Sequence, residues 1–259
     1  PDPGCAAHCG SCVHGQPVEV GCYPTLVMAV RAGVLCNDAR LHQEAGQWSV
    51  VGDPTEGALL VLGHKAGCTQ AWGEAAWPRL DSIPFESQHR FMATLHHGVD
   101  GQSWIFAKGA PERILDMCSR QLACLEDHHS AGSGGEEPLD VDYWRRMVTD
   151  LAAQGMRLLA LAYKPMPAQQ QHLTMAHMDG GGFTLLALLG IIDPPREEAR
   201  QAVQECHQAG IRVKMITGDH VETARAIGAQ LGIGLGKPAM TGAELALTDD
   251  ATLQRLVMD

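Results

Sequence analysis

The chain has 259 residues, of which 45% are hydrophobic and 19% are charged. This is the composition of an ordinary globular protein, and it excludes a collagen, a coiled coil and a wholly disordered chain. The formal net charge is -11, and a surface of that sign repels nucleic acid, so no nucleic-acid partner is expected. The longest apolar run, 183–192, is about half of the roughly 20 residues that a membrane-spanning helix needs, so no direct membrane insertion is expected.

The first 20 residues combine cysteines and histidines at short spacing with Gly, Ser and Pro. Cys5, His8, Cys9, Cys12 and His14 offer soft ligands for a metal-binding module, but the paired Cys-x-x-Cys knuckles of structural zinc sites are absent. The alternative is a poorly ordered terminal segment, and the composition favours it. The odd total of nine cysteines in a chain of this length indicates a reducing compartment.

The region before the triple glycine at 180–182 is predicted to mix helices with strands. Asp53 is expected to be the N-cap of a helix that has Pro54 in its first turn and ends at Gly67, with Glu56 closing a capping box. Further predicted helices are 24–35, 111–118 and 141–154. The predicted strands are 48–51, 80–84, 91–97, 104–108 and 158–163. A Gly- and Ser-rich stretch at 130–138 predicts a surface loop.

After the triple glycine, the pattern changes to apolar strands alternating with helices. Strands are predicted at 183–192 and 211–216, and helices at 195–209 and 220–231. This order is typical of a parallel, doubly wound sheet, in which ligands gather at the carboxyl ends of the strands. Polar clusters follow both predicted strands, at 193–196 and 217–219.

The second of these clusters could hold a phosphoryl group. Thr217, Gly218 and Asp219 supply a hydroxyl, a backbone amide and a carboxylate where a strand turns into a helix N-terminus, which favours an anion. For the triplet alone, an ordinary helix cap is the more frequent interpretation. Its occurrence together with the cluster at 193–196 favours a phosphate site.

Two further positions could meet a small ligand. Lys108 and Gly109 follow a predicted strand and precede a helix, so a ligand could approach the backbone closely while meeting a cation. The alternative is a surface lysine in front of a proline-initiated helix. Phe85 ends a predicted strand and could stack on a base, although a lone phenylalanine is more often a core residue.

Taken in order, six motifs resemble those of P-type cation-transporting ATPases, and their wording is most similar to the bacterial calcium-pump-like branch. Four of them, Asp-Pro-Thr-Glu at 53–56, Pro-Phe-Glu-Ser at 84–87, Lys-Gly-Ala-Pro-Glu at 108–112 and Met-Arg-Leu-Leu-Ala-Leu-Ala at 156–162, resemble the nucleotide-binding domain. Asp-Pro-Pro-Arg at 193–196 and Met-Ile-Thr-Gly-Asp at 215–219 resemble part of the phosphorylation domain. The resemblance extends from about Thr25 to Leu235.

The resemblance implies an α/β chain with two parts. Residues 1–182 would form an α+β nucleotide-binding domain, with a largely antiparallel sheet flanked by helices and with 1–20 poorly ordered. Residues 183–259 would form an incomplete phosphorylation domain of the parallel, haloacid-dehalogenase-like type.

The resemblance also implies roles for individual residues. In the nucleotide-binding domain, Glu56 would hydrogen-bond the adenine, Phe85 would stack on it, Lys108 and Gly109 would line the same pocket, and Arg157 would reach the phosphates. Arg90 would replace positive charge that calcium pumps carry just after the phenylalanine. In the other domain, Thr217 and Gly218 would hold the phosphoryl group, while Asp193, Arg196 and Asp219 would organise the nucleotide and the contact between domains.

Two family motifs are absent from the chain: Asp-Lys-Thr-Gly-Thr-Leu-Thr, which carries the phosphorylated aspartate, and Gly-Asp-Gly-x-Asn-Asp, which serves the metal. Covalent catalysis needs that carboxylate nucleophile, and Mg²⁺ supplies charge stabilisation. The chain is therefore expected to be a cytosolic piece of a plasma-membrane pump that binds ATP without hydrolysing it. Its expected partners are the remaining phosphorylation, actuator and transmembrane domains of the same polypeptide. A free-standing haloacid-dehalogenase-type phosphatase is the alternative enzyme, but it predicts an N-terminal Asp-x-Asp strand that the sequence lacks.

Overall fold

A computed structural model of the protein describes residues 12–13, 16–17, 20–123, 135–192, 195–218, 221–237 and 239–258. The chain divides into two compact units. The first comprises Pro1–Tyr143 and Leu159–Leu189, and the second comprises Trp144–Leu158 and Gly190–Asp259. The two units are compact parts of the structure. The predicted boundary at residue 182, between a nucleotide-binding and a phosphorylation domain, stays a prediction.

The chain is a mixed α/β protein, as predicted. As far as Ile191 its elements are β1 (Cys12–Val13), β2 (Gln16–Pro17), a 3-10 turn (Val20–Cys22), α1 (Pro24–Leu35), β3 (Arg40–Glu44), β4 (Gln47–Val51), α2 (Pro54–Lys65), α3 (Gln70–Ala76), β5 (Arg79–Glu86), β6 (Phe91–His97), β7 (Ser103–Gly109), α4 (Pro111–Met117), β8 (Cys118–Leu122), β9 (Glu136–Pro138), α5 (Val141–Ala152), β10 (Arg157–Met166), α6 (Met175–Asp179) and β11 (Phe183–Ile191). The helices that follow are α7 (Glu197–Gln208), α8 (Val221–Leu231), α9 (Gly242–Ala246) and α10 (Asp250–Met258).

A seven-stranded sheet organises the first unit, in the order β5-β6-β7-β10-β11-β8-β9. The pairs β5–β6, β6–β7, β7–β10 and β8–β9 are antiparallel, whereas β11 and β8 are parallel. The sheet therefore has the mainly antiparallel pairing that the motifs led us to expect. Two short hairpins, β1–β2 and β3–β4, stand beside it.

Helix α1 packs on the centre of this sheet. Ala32 and Leu35 of α1 belong to one buried cluster with Met92 of β6, Phe106 of β7 and Leu161 of β10. Strand β6 is buried from Phe91 to His96 and β7 is buried at nearly every position, so both faces of the central strands are covered. This explains why both strands are rich in apolar residues on both faces.

The predicted helices at 24–35, 111–118, 141–154, 195–209 and 220–231 are confirmed to within two residues at each end. The strands around 91–97, 104–108 and 158–163 are confirmed as β6, β7 and β10. The short strands β3, β8 and β9 and the helices α3, α6, α9 and α10 were not predicted, because they lack a strong apolar period.

The predicted strand at 211–216 is wrong. Residues 211–218 are all described and none of them is in a strand, and Ile211 and Ile216 are 56% and 97% exposed. The other strand predicted after the triple glycine is β11, which neighbours β10 and pairs with β8 in the first unit's sheet. Extended backbone becomes a strand only when a neighbouring strand satisfies its N–H and C=O groups. Because β11 lies between β10 and β8, it does not pair with residues 211–216.

Several predictions fall outside the described residues. Cys5, His8, Cys9 and His14 of the candidate metal module are among them, as are Asp193, Asp219 and most of the loop at 130–138. Within the part that is described, no group of three or more His, Cys, Asp or Glu side chains could hold a metal ion. No helix in that part combines the length and the apolar character needed to cross a bilayer.

Candidate functional site

A buried ion pair joins the first turn of α2 to β7. Asp53 caps α2 as predicted, accepting hydrogen bonds from the backbone N–H groups of Thr55 at 2.8 Å and of Glu56 at 3.2 Å. Glu56 is the third residue of α2, and its Oε1 lies 2.5 Å from Lys108 Nζ. The side chains of Lys108 and Glu56 are 6% and 15% exposed. Lys108 is thus a paired, buried ammonium, and the surface-lysine interpretation is wrong.

The second carboxylate oxygen of Glu56 is bound by the loop that follows α1. Glu56 Oε2 accepts hydrogen bonds from the backbone N–H of Asp38 at 3.1 Å and of Ala39 at 3.0 Å. The predicted capping box is therefore wrong, because the carboxylate faces a loop 17 residues away in sequence instead of its own N-cap. Three donors on one carboxylate fix its orientation, and they fix the position of Lys108 with it.

Gly109 lies where two strands approach each other closely. A Cβ built on Gly109 would lie 2.8 Å from the Cα of Phe91 and closer still to the carbonyl oxygen of Arg90. That oxygen accepts a hydrogen bond from the backbone N–H of Ala110 at 3.0 Å. Glycine is required here because backbone atoms of β6 occupy the space of a side chain.

Phe85 and Arg90 flank the turn between β5 and β6. The register of these strands shifts between Ile83 and Glu86, and Phe85, which lies in that interval, is 58% exposed. Phe85 is therefore not a core residue. Arg90 ends the turn at a φ of 58°, and its Nη1 lies 2.6 Å from Oε1 of Glu112. Both partners of this ion pair are more than half exposed, so its guanidinium remains open to other anions.

The sheet register places most of these residues at one end of adjacent strands. Glu86 pairs with Phe91, Phe91 pairs with Gly109, and Gly109 pairs with Ala160. Phe85, Arg90, Lys108 and Gly109 lie on or beside these paired positions, and Glu56 of α2 joins them through Lys108. All five sequence-predicted residues belong to the first unit.

The remaining predicted residues belong to the second unit. Arg157 is the first residue of β10, and Arg196 is the N-cap of α7 without a side-chain cap bond. Thr217 and Gly218 are exposed and lie between α7 and α8. Because Asp193 and Asp219 are outside the described residues, the predicted phosphoryl-holding group is described only in part.

Sequence reasoning missed the residues that support Glu56. Asn37 is 4% exposed, and its Nδ2 donates to the carbonyl oxygens of Gly33 at 3.1 Å and Glu56 at 3.0 Å. The neighbouring Cys36 is fully buried, and burial raises the pKa of its thiol although the ammonium of Lys108 acts in the opposite direction. The signal available in the sequence was Cys-Asn-Asp directly after an apolar helix, since polar residues in such a position need buried partners.

Comparison with known proteins places the chain in a class and a family. The fold is that of a mixed α/β domain, and residues 25–198 match the family model for P-type ATPase, cytoplasmic domain N. The chain belongs to this family. The resemblance inferred from the six motifs is thereby confirmed.

The relatives are transport ATPases. The chain is 44% identical to the cation-transporting ATPase pma1 of Synechocystis sp., over 92% of this chain and 25% of that protein. It is 36% identical to a calcium-transporting ATPase of Bacillus subtilis, over 83% and 23% respectively. It is 39% identical to the probable cation-transporting ATPase F of Mycobacterium tuberculosis, over 89% and 25%. The chain thus spans about a quarter of the length of the curated relatives it matches.

Proposed function

We propose that this chain is the ATP-binding part of a pump that couples ATP hydrolysis, through an aspartyl-phosphate, to cation transport across a membrane. The observation that carries the proposal is the buried Glu56–Lys108 pair at the same sheet end as the exposed ring of Phe85. Membership of the cytoplasmic domain N family and the transport ATPases among the relatives support it.

The adenine of ATP would be bound at the end of β5, β6 and β7. Phe85 offers an exposed ring face, and base–aromatic stacking is worth about 1–3 kcal/mol. The carboxylate of Glu56 can only accept hydrogen bonds, so it suits the exocyclic amino group of adenine. Lys108 and Gly109, at the end of β7, would line the same pocket.

Arg90 of the first unit would meet the phosphates of ATP, and a phosphate-binding role for Arg157 stays a prediction. The formal net charge of -11 makes most of the surface repellent to a polyphosphate, so a few arginines must provide the local attraction. Arg90 is already bound to Glu112 on the surface, and an exposed ion pair of this kind contributes little and exchanges readily.

The second unit would contribute to phosphoryl transfer in the full-length protein as part of a haloacid-dehalogenase-like phosphorylation domain. Thr217, Gly218 and Asp219 would hold the phosphoryl group, while Asp193 and Arg196 would organise the nucleotide. The described residues offer no group of three or more potential metal ligands, so this part of the chain does not by itself fit a resident Mg²⁺ site. In the full-length protein, Mg²⁺ would supply stabilisation of the charge on the phosphate.

The partners of this chain would be the remaining phosphorylation, actuator and transmembrane domains of the same polypeptide. The chain spans about a quarter of its relatives, which leaves room for those domains. The site would lie at the cytoplasmic face of the plasma membrane, where ATP is available.

Titration calorimetry with ATP tests the binding. The wild-type chain should saturate, and Phe85→Ala should weaken binding about 5- to 150-fold because 1–3 kcal/mol of stacking is lost. Lys108→Ala should also weaken it. Val99→Ala is the matched control, because Val99 is an exposed apolar side chain (76%) in the β6–β7 turn and should leave the affinity unchanged. Unchanged affinity in both Phe85→Ala and Lys108→Ala would contradict the assigned pocket.

Phosphate release tests the predicted inactivity of this chain. Because the sequence lacks the Asp-Lys-Thr-Gly-Thr-Leu-Thr nucleophile motif, ATP should be bound without turnover above a buffer blank. Turnover that survives stringent purification would contradict the proposed covalent mechanism.

A further inference from the structure

The loop between α1 and β3, residues 36–39, contacts the Glu56 carboxylate directly. The loop is itself held by two side chains, the buried Asn37 and the partly buried Arg79. We call it the α1–β3 loop. Its backbone N–H groups at Asp38 and Ala39 both donate to Glu56 Oε2. Two N–H groups converge on one oxygen only if the loop backbone has one fixed conformation, so what fixes the loop also fixes Glu56.

Asn37 holds the loop from inside. Its Nδ2 joins the carbonyl oxygens of Gly33 in α1 and Glu56 in α2, and its Oδ1 accepts a hydrogen bond from the backbone N–H of Ala39 at 2.9 Å. One buried amide therefore connects the end of α1, the start of α2 and the loop between them. Removing it would leave buried polar groups without partners.

Arg79 holds the loop from the first residue of β5. Its Nη2 donates to the carbonyl oxygens of Leu35 at 3.0 Å and Asn37 at 2.5 Å, and its Nη1 lies 2.7 Å from Oδ1 of Asp38. All three acceptors belong to the C-terminus of α1 or to the α1–β3 loop. The planar guanidinium can reach three oxygens at once, and its charge is favourable at a helix C-terminus.

We propose that Asn37 and Arg79 are positioning residues for nucleotide discrimination: they hold the α1–β3 loop so that its two N–H groups orient the Glu56 carboxylate and, through it, the Lys108 ammonium. The inference rests on the proposed ATP site. Neither residue needs to touch the nucleotide. Because the carboxylate accepts hydrogen bonds, an oriented Glu56 favours the amino group of adenine over the carbonyl oxygen of guanine at the same ring position.

The test compares Arg79→Gln with Arg40→Gln in calorimetric titrations with ATP and with GTP. Arg40 forms an exposed ion pair with Glu74 and is the matched control for loss of an arginine from an ion pair. Arg79→Gln should weaken ATP binding about tenfold while changing GTP binding less than about twofold, and Arg40→Gln should change neither. Arg79→Lys should recover part of the discrimination, because a lysine retains the charge near Asp38 but lacks the planar fork.

The discrimination ratio separates positioning from simple stability. A destabilised fold lowers the apparent affinity for both nucleotides alike, whereas a displaced Glu56 lowers it for ATP. An Arg79→Gln chain with the wild-type ratio and only a lower melting temperature would overturn the proposal. If Arg79→Gln fails to fold, Asn37→Ser is held to the same criterion.

An NMR measurement without nucleotide distinguishes this inference from the proposed function. If the wild-type chain binds no ATP, the proposed function fails. The amide resonances of Asp38 and Ala39 then still test whether Arg79 positions the Glu56 carboxylate through the α1–β3 loop. Arg79→Gln should move both resonances in the same direction as Glu56→Gln does, and Arg40→Gln should leave them in place. Resonances that move in Glu56→Gln but not in Arg79→Gln would overturn the inference.

Discussion

Glu56→Gln should destabilise the chain more than Lys108→Met does, although both changes break the same ion pair. Three donors converge on the two carboxylate oxygens of Glu56, and a glutamine has one oxygen and an amino group in their place. The amino group must face either the Lys108 ammonium or the two loop N–H groups. In the first orientation the buried Lys108 ammonium loses its acceptor, and in the second the amino group opposes two N–H donors while a charged hydrogen-bond acceptor is replaced by a neutral one.

The magnitudes follow from burial. The Lys108 side chain is 6% exposed, and among the described contacts its ammonium has Glu56 Oε1 as its acceptor. Leaving that charge unpaired should cost about 3–5 kcal/mol in the free energy of unfolding. Lys108→Met removes a charged hydrogen bond but leaves the Glu56 carboxylate with two N–H donors and 15% exposure, so about 2 kcal/mol is expected. The double variant should cost less than the sum by about 2–3 kcal/mol.

Urea denaturation followed by tryptophan fluorescence measures these values, since Trp77 and Trp104 lie in or against the core cluster of the first unit. Glu74→Gln is the matched control: it makes the same substitution in an ion pair whose partners are 61% and 57% exposed, and it should cost less than about 1 kcal/mol. Equal costs for Glu56→Gln and Lys108→Met, or additive costs in the double variant, would refute the reasoning.

Three further changes test the fold around the site. His96 is 2% exposed, and burial lowers its pKa from 6.5 to about 4, so in this pH range the unfolded chain takes up a proton that the folded chain does not. The free energy of unfolding of the wild type should therefore fall by about 3 kcal/mol as the pH drops from 6.5 towards 4. Urea midpoints at pH 7 and pH 4.5 should show that His96→Gln lacks this difference. Gly109→Ala should cost about 1–3 kcal/mol in the same urea assay, because the new Cβ would meet backbone atoms of β6 that cannot rotate away; a wild-type midpoint would show that β6 can yield. Asp53→Ala should cost about 1 kcal/mol through loss of the cap on α2, and Asp53→Asn should retain most of that stability; equal losses in the two variants would exclude capping as the cause.

Local chemistry made part of this site predictable. The start of α2 was predicted from Asp53, Pro54 and a Glu56 capping box, and the first two were right because an N-cap and a first-turn proline act within a few residues. Strand β11 was predicted from its continuous apolar run, because a strand covered on both faces shows little alternation. The Lys-Gly-Ala-Pro-Glu motif at 108–112 also predicted correctly where β7 ends and α4 begins, because a first-turn proline is a local signal.

Long-range contacts were not predictable in the same way. Glu56 fits a capping box equally well in sequence, and its actual partners lie 17, 18 and 52 residues away. Arg79 gave no signal at all, because its role depends on acceptors more than 40 residues earlier in the chain. The exposure of Phe85 was also open, since a phenylalanine beside a strand end is compatible with both core and surface.

The sequence by itself determined the family, the local starts and ends of the main helices and strands, and the identity of the candidate site residues, because these depend on motifs and on neighbours within a few positions. Tertiary structure decided which strands pair. Two predicted strands, one at 183–192 and one at 211–216, had different outcomes, since a strand forms only where another backbone satisfies its hydrogen bonds. Tertiary structure also decided that Glu56, predicted as a helix cap, is bound by a distant loop and pairs with Lys108, because only the folded chain brings those three donors to one carboxylate.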